Sequence, residues 1–318
     1  MKHTGISAVM PVKNGEKHLI DSMQQLSKNL QENDEIVVVN DGSTDGTFSI
    51  LKKWAKEDRR VMVVNNPNHG LTNALNLGFK ESSNNWIARF DVDDKYSINR
   101  LRIQREAIRS KVILIFSDYD NFSTDGVNLG TIPSAIFPSA TALSLISSQR
   151  TAHPSALVSK DAFNEAGGYQ LEDFPAEDIS LWLRMAKFGE IISVPKILLH
   201  YQISPNSVSV SKYSTAKSKT EELLRKFPIS VIYLNDVLDN FKEYATLYGH
   251  EEFATERVIL MYRDIVQYSR TYRIDISLNN LKRSLQATIN LLSQEAFTKS
   301  ILGLKQDSVE RTKSRFNS

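Results

Sequence analysis

The stretch EIVVVNDGSTDGT, residues 35–47, decides the fold class. Residues 35–39 form a short β-branched run of the kind found in buried parallel strands. A polar turn follows this strand, and residues 48–56 then show the spacing of a helix. In α/β proteins a buried strand leads through such a turn into a helix, and ligands bind just beyond the carboxyl ends of the strands. Asp41 lies at that position, so the stretch predicts an α/β fold and a ligand contact.

Strands and helices alternate through the first 116 residues. Strands are predicted at residues 6–12, 35–39, 61–64, 86–88 and 112–116, and helices at residues 17–30, 48–56, 71–81 and 99–109. This alternation predicts a mostly parallel sheet sandwiched by helices. Beyond about Ser211 the spacing is helical only. The sequence therefore predicts an α/β domain over residues 1–215 and an all-α C-terminal domain over residues 216–318.

The composition is that of an ordinary globular protein. Of the 318 residues 41% are hydrophobic and 24% are charged, and the formal net charge of +2 predicts no nucleic-acid partner. The sequence contains no cysteine, which excludes disulfides and cysteine nucleophiles and fits a reducing compartment. Apolar stretches are shorter than the ~18 residues that a spanning helix requires. We therefore expect a cytoplasmic protein that meets membranes only at their surface.

A second decisive stretch is ARFDVDD, residues 88–94, which follows an apolar segment. If the strand continues through it, Asp91 and Asp93 project to one side, about 7 Å apart at ~3.3 Å per residue, and Asp94 to the other. Carboxylates so close repel each other unless a cation lies between or beside them. Divalent Mg²⁺ or Mn²⁺ binds in this way together with phosphate oxygens and water. The cluster predicts metal-assisted handling of a phosphorylated substrate.

A third stretch, PAEDISLWLR at residues 175–184, places two carboxylates at the start of a predicted helix. Ile179 and Leu183 recur at helical spacing, with Glu177 and Asp178 in the first turn. Acidic residues there stabilise a helix through its dipole, which is a sufficient structural explanation. The functional alternative is that one of them acts as a general base, because a carboxylate near a metal–phosphate site can activate a hydroxyl group.

Together these motifs resemble the family 2 glycosyltransferases, whose nucleotide-binding fold is of the GT-A type. The resemblance covers residues 6–211, where six motifs follow one another in the family's order. The matching stretches are VMPVKN at residues 9–14, VNDGSTDGT at 39–47, NHGLTNALNLG at 68–78, DVD at 91–93, GGY at 167–169 and EDISLW at 177–182. One such motif is weak, whereas six in register are specific.

The resemblance implies roles for individual residues. It assigns Asp41 to nucleotide binding, Asp91 and Asp93 to metal binding as the DxD motif, and Asp178 to the role of catalytic base. The whole implied donor site consists of Pro11, Val12, Asn14, Asp41, Asn68, Gly70, Asn73, Arg89, Asp91, Val92 and Asp93. The implied reaction is the transfer, with inversion, of a sugar from a nucleotide diphosphate, UDP above all, to a glycan or lipid-linked acceptor in polysaccharide biosynthesis. The implied cofactor is Mn²⁺ or Mg²⁺.

Three positions depart from the family's pattern. Lys13 stands where tyrosine is usual, Leu75 replaces a common arginine, and Ser204 occupies the position of a histidine that contacts metal or diphosphate. His200 is a candidate to replace that contact, and His153 is a candidate to face the donor or the acceptor. A structural role explains each of these histidines equally simply. The donor nucleotide, the sugar and the acceptor stay open.

Other functional classes fit less well. A phosphatase of the haloacid dehalogenase type requires threonine or valine two residues after its second aspartate, where this chain has Lys95. A sugar nucleotidyltransferase requires a glycine-rich, basic loop after its first strand, which residues 12–15 do not supply. The remaining alternative is a catalytically degenerate transferase that acts as a scaffold in a polysaccharide-assembly complex.

The C-terminal region carries two apolar stripes with basic residues beside them. The stripes are Val258, Met261, Ile265 and Tyr268, and then Leu278, Leu281, Leu285, Ile289 and Leu292. The basic residues are Arg257, Arg263, Arg270, Arg273, Lys282 and Arg283. We expect the stripes to close a helical subdomain. Alternatives are a homo-oligomer formed through these helices and peripheral binding to anionic lipid.

Overall fold

The computed structural model describes residues 4–134, 141, 144–145, 151–205, 207–226, 254–272, 282–283 and 286. The chain divides into two compact units, one formed by Met1–Ile132 with Thr151–Pro228 and the other by Pro133–Arg150 with Ile229–Ser318. Residues 133–150 thus group with the C-terminal part of the chain, and the first unit continues past residue 215. The predicted domain boundary between residues 215 and 216 stays a prediction.

The described residues of the first unit form nine strands and eight α-helices. The strands are β1 (Ile6–Val12), β2 (Glu35–Asn40), β3 (Val61–Asn65), β4 (Trp86–Arg89), β5 (Lys95–Tyr96), β6 (Val112–Ser123), β7 (Asn128–Ile132), β8 (Leu157–Ser159) and β9 (Glu190–Ile203). The helices are α1 (Glu16–Asn29), α2 (Thr47–Glu57), α3 (Leu71–Glu81), α4 (Arg100–Glu106), α5 (Lys160–Glu165), α6 (Glu177–Met185), α7 (Val208–Ser211) and α8 (Tyr213–Lys226). Every element predicted before residue 117 is confirmed in type, and β6 extends further than predicted.

The strands form one sheet in the order β3-β2-β1-β4-β8-β6-β9-β5, with β7 beside β6. Strands β1 to β4 are parallel to one another and are connected by helices, which confirms the predicted α/β alternation. Because parallel strands end at the same edge of a sheet, the loops that follow these four strands come together there. This edge collects Asp41 and the acidic stretch after β4.

The other half of the sheet is mixed. Strand β8 is antiparallel to β4 and β6, β5 is antiparallel to β9, and β6 is parallel to β9. The sequence pattern did not predict β9, because Pro195 interrupts its apolar run and proline cannot donate a ladder hydrogen bond. The sheet accommodates Pro195 at an irregularity, where Ser117 pairs with Val194 but Asp118 pairs with Ile197.

The core of the first unit lies between the sheet and its helices. One large cluster joins alternate residues of β1 to the apolar face of α1, including Ile6, Ala8, Met10, Leu19, Met23 and Leu26. On the opposite face, α3 approaches β1 closely at Gly78, where an added Cβ would lie 2.5 Å from Cγ1 of Val9. A larger residue there would push the helix outward, so this glycine helps to fix α3 and the loop before it.

The second unit contains helix α9 (Ala254–Tyr272). Three residues of the first predicted stripe, Val258, Met261 and Ile265, are at most 1% exposed, which confirms an apolar packing face. The assignment of Arg257 to the solvated polar side was wrong. Its side chain is 2% exposed and its Nη1 donates to the carbonyl oxygen of Ser134 at 2.6 Å, so the guanidinium serves packing inside this unit.

The second predicted stripe, from Leu278 to Leu292, lies outside the described residues. Among the helices that the structure describes, none combines the length and the apolar character needed to cross a membrane.

Candidate active site

The candidate site begins with the loop after β3, which is built around Asp41 at the end of β2. Asp41 is 6% exposed, and its carboxylate accepts from the amide of Gly70 at 2.8 and 3.0 Å and from Nδ2 of Asn66 at 2.7 Å. Gly70 has a φ of 96°, a conformation that glycine adopts at little cost. Asp41 therefore shapes the loop of residues 66–70. A direct contact from Asp41 to a nucleotide stays a prediction.

The loops after β1 and β2 are fastened to each other by Asn14. Its amide donates to Oγ of Ser43 at 3.0 Å, and its Oδ1 accepts from the amide of Thr44 at 2.8 Å. Pro11 and Val12 are buried at the end of β1, and the Val12 carbonyl accepts from the Asp41 amide at 2.8 Å. The structure thus brings these predicted donor residues to one edge, while their contacts with a donor stay predictions.

The start of α3 completes this edge. Asn68 and Gly70 are exposed, and Nδ2 of Asn73 donates to the His69 carbonyl at 2.9 Å, which closes the loop onto the helix. Leu75, which replaces the family's common arginine, is fully buried. The side chain at this position therefore belongs to the core and faces away from the loop surface.

The acidic stretch does not lie on a strand, so the prediction that strand alternation aligns Asp91 with Asp93 was wrong. Strand β4 ends at Arg89, and residues 91–94 form a turn. The Asp91 amide donates to the hydroxyl of Tyr96 at 2.7 Å, and Oδ1 of buried Asp94 accepts from the Gln202 amide at 2.8 Å. The turn is therefore fixed by contacts to β5 and β9. Val92 lies at its centre, where its carbonyl accepts from the Ser22 hydroxyl.

Arg89 lies behind this turn. Its side chain is 4% exposed, and Nη1 is 2.5 Å from Oδ2 of Asp91. Burial alone would lower the pKa of the Arg89 guanidinium, but the charge and the hydrogen bond of Asp91 outweigh burial and raise it. Arg89 is thus a fixed cation that holds Asp91. Its predicted contact with the donor stays a prediction.

The turn fits a divalent cation by its donor chemistry. Burial, and then the charge of Asp91, raises the pKa of Asp93, and the same two causes in the same order raise the pKa of Asp94. The carboxylate of Asp93 and Oδ1 of Asp91 are the groups suited to a cation. The other oxygen of Asp91, Oδ2, faces Arg89, and Asp94 accepts a hydrogen bond from the Gln202 amide in β9. Among the described residues there is no cluster of three or more histidine or acidic side chains, so phosphate and water would supply the other ligands.

The predicted base helix is confirmed as α6, with Glu177 and Asp178 in its first turn. Asp178 is partly exposed, whereas Glu177 is 4% exposed. Burial raises the pKa of the Asp178 carboxyl, against the hydrogen bond from the Ile179 amide at 2.8 Å and the charge of Arg89. The Arg89 amide donates to the Ala156 carbonyl at 3.0 Å, and the ring of His153 meets that of Trp182 in α6 edge-on at 5.7 Å. The segment of residues 153–156 therefore contacts both the end of β4 and the helix α6.

Glu177→Gln is expected to flatten the pH dependence of stability. Burial, and next Asp178, raises the pKa of Glu177 from 4.5 to about 7, so the folded protein favours the protonated carboxyl. Stability that is fully present below pH 4.5 should decline as the pH rises to about 7, by an amount on the order of 3 kcal/mol. Urea unfolding at pH 5 and pH 8 measures this difference. Exposed Glu172→Gln is the control, and equal pH dependence of both variants would contradict the assignment.

His153 is engaged within a ring cluster. Its Nε2 is 2.8 Å from the hydroxyl of Tyr169, and its ring lies edge-on to Trp182 at 5.7 Å. Burial, and then the charge of Arg89, lowers the pKa of His153 well below its usual value. A neutral His153 therefore supports Tyr169 and the helix α6. Its predicted contact with donor or acceptor stays a prediction.

Sequence reasoning did not predict the burial of Glu177 and Tyr169. Both lie in motifs that the sequence displayed, but their burial and mutual charges depend on elements that meet only in the fold. Arg89 was predicted from its motif, whereas its link to Asp178 was not, because β4 and α6 are far apart in sequence.

The comparison with known families and proteins agrees with the geometry. The profile described as Glycosyl transferase family 2 matches residues 7–165, half of the chain. The putative teichuronic acid biosynthesis glycosyltransferase TuaG of Bacillus subtilis is 25% identical over 216 residues, covering 67% of this chain and 84% of TuaG. The chain also matches four further curated relatives. It spans 31%, 46% and 35% of the length of three of them and 75% of the length of the fourth.

Two solved structures share the fold. The match to TarS of S. aureus, residues 1–349 with UDP-GlcNAc, has a TM-score of 0.58 at 15% identity. It covers 93% of this chain and 92% of the TarS chain. The match to the mannosyltransferase PcManGT from Pyrobaculum calidifontis, with GDP-Man and Mn²⁺, has a TM-score of 0.55 at 13% identity. It covers 91% of this chain and 86% of the PcManGT chain. The predicted α/β fold of the GT-A type is thereby confirmed. With the profile match over half its length, the chain belongs to glycosyl transferase family 2.

Proposed function

We propose that the protein is an inverting glycosyltransferase that moves a sugar from a nucleotide diphosphate sugar to a glycan or lipid-linked acceptor in polysaccharide biosynthesis. The observation that carries this proposal is the position of Arg89 at the end of β4. Its Nη1 lies 2.5 Å from Oδ2 of Asp91, and its amide donates to the Ala156 carbonyl in the segment that packs on α6, the helix of Asp178. A turn that we propose to bind the diphosphate and a proposed base would then share one site, as group transfer to a hydroxyl requires.

The donor in this proposal is UDP-linked. Structures of similar fold hold UDP-GlcNAc in TarS, and GDP-Man with Mn²⁺ in the mannosyltransferase, which supports a nucleotide sugar and a divalent cation as ligands here. The loop of residues 66–70, shaped by Asp41, and the loops joined by Asn14 would bind the nucleoside. This edge presents backbone amides and polar side chains at the ends of parallel strands, where α/β folds bind nucleotides.

The leaving diphosphate needs a preorganised positive environment. A divalent cation held by Asp93 and by Oδ1 of Asp91 would supply Lewis-acid stabilisation of the departing charge. Arg89 orients the Asp91 carboxylate through the contact at 2.5 Å between Nη1 and Oδ2. The hydrogen bond of Asp94 to β9 fixes the turn, so Asp93 is presented without reorganisation when the donor binds.

Asp178 is the proposed base. It takes the proton of the acceptor hydroxyl as that oxygen attacks the anomeric carbon, and a single displacement inverts the configuration at that carbon. Because burial raises its pKa, the ionised carboxylate is a stronger base than an exposed aspartate.

The acceptor is proposed from the likeness to TuaG, whose name refers to teichuronic acid biosynthesis. We propose a growing polysaccharide or a lipid-linked glycan. A lipid-linked acceptor would place the chain at the cytoplasmic face of a membrane. We propose peripheral contact or homo-oligomer formation there through parts of the C-terminal region other than the buried stripe of α9.

The proposal is tested by thermal unfolding of the full chain with a panel of nucleotide sugars, each with and without Mn²⁺. A ligand at 100 times its dissociation constant stabilises the folded state by roughly 2.7 kcal/mol. We expect a UDP-sugar to raise the melting temperature, and more so with Mn²⁺. Equal stabilisation by GDP-sugars would overturn the UDP preference, and no shift with any nucleotide sugar would contradict the donor class.

A further inference from the structure

A cavity of about 310 Å³ lies beside the acidic turn. Its walls come from the turn and β5, from the tip of the β6–β7 hairpin and from the end of β9. The lining residues are Asp93, Lys95, Phe122, Ser123, Thr124, Gly126, His200 and Gln202. A volume near 300 Å³ is at the lower end of the range for small-molecule sites.

The cavity lies beside other strands than the loops proposed to bind the nucleoside. The loops around Asp41 follow β1, β2 and β3, whereas the cavity is lined by β5, β6 and β9, on the other side of β4 in the strand order. Only Asp93 belongs both to the proposed diphosphate site and to the cavity. Whatever occupies the cavity therefore lies across Asp93 from the nucleoside.

The walls of the cavity are fixed by contacts behind them. Nδ1 of His200 is 3.3 Å from Oδ2 of Asp120, a carboxylate that is 6% exposed and also accepts from the Thr131 hydroxyl at 2.5 Å. The ring of Phe122 meets that of His200 edge-on at 5.6 Å. His200 and Phe122 are therefore held in place before any ligand binds.

The chemistry of the lining suits a sugar ring. A pyranose offers an apolar C–H face and an edge of hydroxyl groups that donate and accept hydrogen bonds. Phe122 supplies an aromatic surface, and Gln202, Ser123 and His200 supply hydrogen-bond donors and acceptors. Asp93 and Lys95 contribute one charge of each sign, so the lining favours a neutral polyhydroxyl ligand over an anion.

We propose that this cavity binds a pyranose unit of the acceptor glycan. The inference rests on the proposed transferase function and deepens it by naming the acceptor's class and place. Exposed residues of the hairpin tip, Thr124 and Gly126, line one side, which leaves a longer glycan room to continue into solvent. Phe122 and His200 are proposed as specificity-determining contacts.

The test is saturation-transfer NMR on the full chain with UDP and diamagnetic Mg²⁺, using the methyl pyranosides of glucose, galactose, mannose and N-acetylglucosamine as probes. We expect saturation transfer to at least one probe, and about tenfold weaker affinity in Phe122→Ala and in His200→Ala, as for loss of an anchoring contact. Phe188→Ala, an exposed phenylalanine outside the cavity lining, is the matched control and should keep wild-type affinity. The far-UV circular dichroism spectrum and the melting temperature verify that each variant is folded.

Three outcomes overturn the proposal: binding of no pyranoside, equal affinity in all variants, or loss of the signal when an intact UDP-sugar replaces UDP. The last outcome would show that the cavity takes the donor's sugar. Failure of the transferase function is seen separately, as the lack of any Mn²⁺-dependent binding of UDP or of a nucleotide sugar.

Discussion

Asp93→Asn is expected to abolish both sugar transfer and Mn²⁺-dependent nucleotide binding while the fold stays intact. Asp93 is the carboxylate of the acidic turn best placed for a cation, because Asp91 is shared with Arg89 and Asp94 is bonded to β9. Replacing a carboxylate by an amide removes the charge that a hard cation requires. Stability should not fall, since burial raises the pKa of Asp93 and the folded protein gains nothing from its ionisation at neutral pH.

Calorimetric titration of UDP with and without Mn²⁺ measures the effect of this substitution. The wild type is expected to bind UDP more tightly with the metal, and Asp93→Asn should show one affinity under both conditions. Asp21→Asn, which removes an exposed carboxylate of α1, is the matched control. If Asp93→Asn keeps the metal-dependent gain, the assignment of Asp93 is wrong.

Asp178→Asn is expected to reduce turnover by 10²–10⁴-fold and to leave donor binding nearly unchanged, since a positioned base typically contributes about that factor. The amide keeps the size of the side chain but cannot accept the proton of the acceptor. Steady-state transfer and UDP affinity, measured side by side, separate chemistry from binding. Asp161→Asn, at an exposed aspartate in the first turn of α5, is the control.

Retention of more than about a tenth of wild-type turnover would place the base elsewhere. Glu177 is then the first substitute, because burial and Asp178 raise its pKa to about 7. The pH profile adds a second readout. Since burial raises the pKa of Asp178, wild-type turnover should fall as the pH falls through that raised value and the base becomes protonated.

The sequence predicted the first half of the sheet well, for physical reasons. Strand β2 is a β-branched run between polar turns, and α3 has the bounds that its helical spacing predicted. Both are set by local pattern, and parallel pairing then brings the motif residues after β1, β2 and β4 to one edge. Residues that are distant in sequence could therefore be assigned to one site.

What the sequence could not predict depends on contacts between distant segments. The turn at residues 91–94 is fixed by Tyr96 and Gln202, and β9 continues past Pro195 because β6 pairs with it along its length. Periodicity does not reveal such tertiary support. The same limit applies to Arg257, whose burial follows from its bond to Ser134, and to the cavity beside Asp93, which three separate elements enclose.

The release of nucleoside diphosphate from nucleotide sugars, by the full chain with Mn²⁺, tests the proposed activity most directly. We predict release from at least one UDP-sugar by the wild type and none by Asp93→Asn. Asp178→Asn should release the diphosphate at least about 10²-fold more slowly than the wild type. Omission of Mn²⁺ should suppress the wild-type reaction. Release from no nucleotide sugar, or release that both variants retain, would contradict an active transferase and favour a catalytically degenerate scaffold.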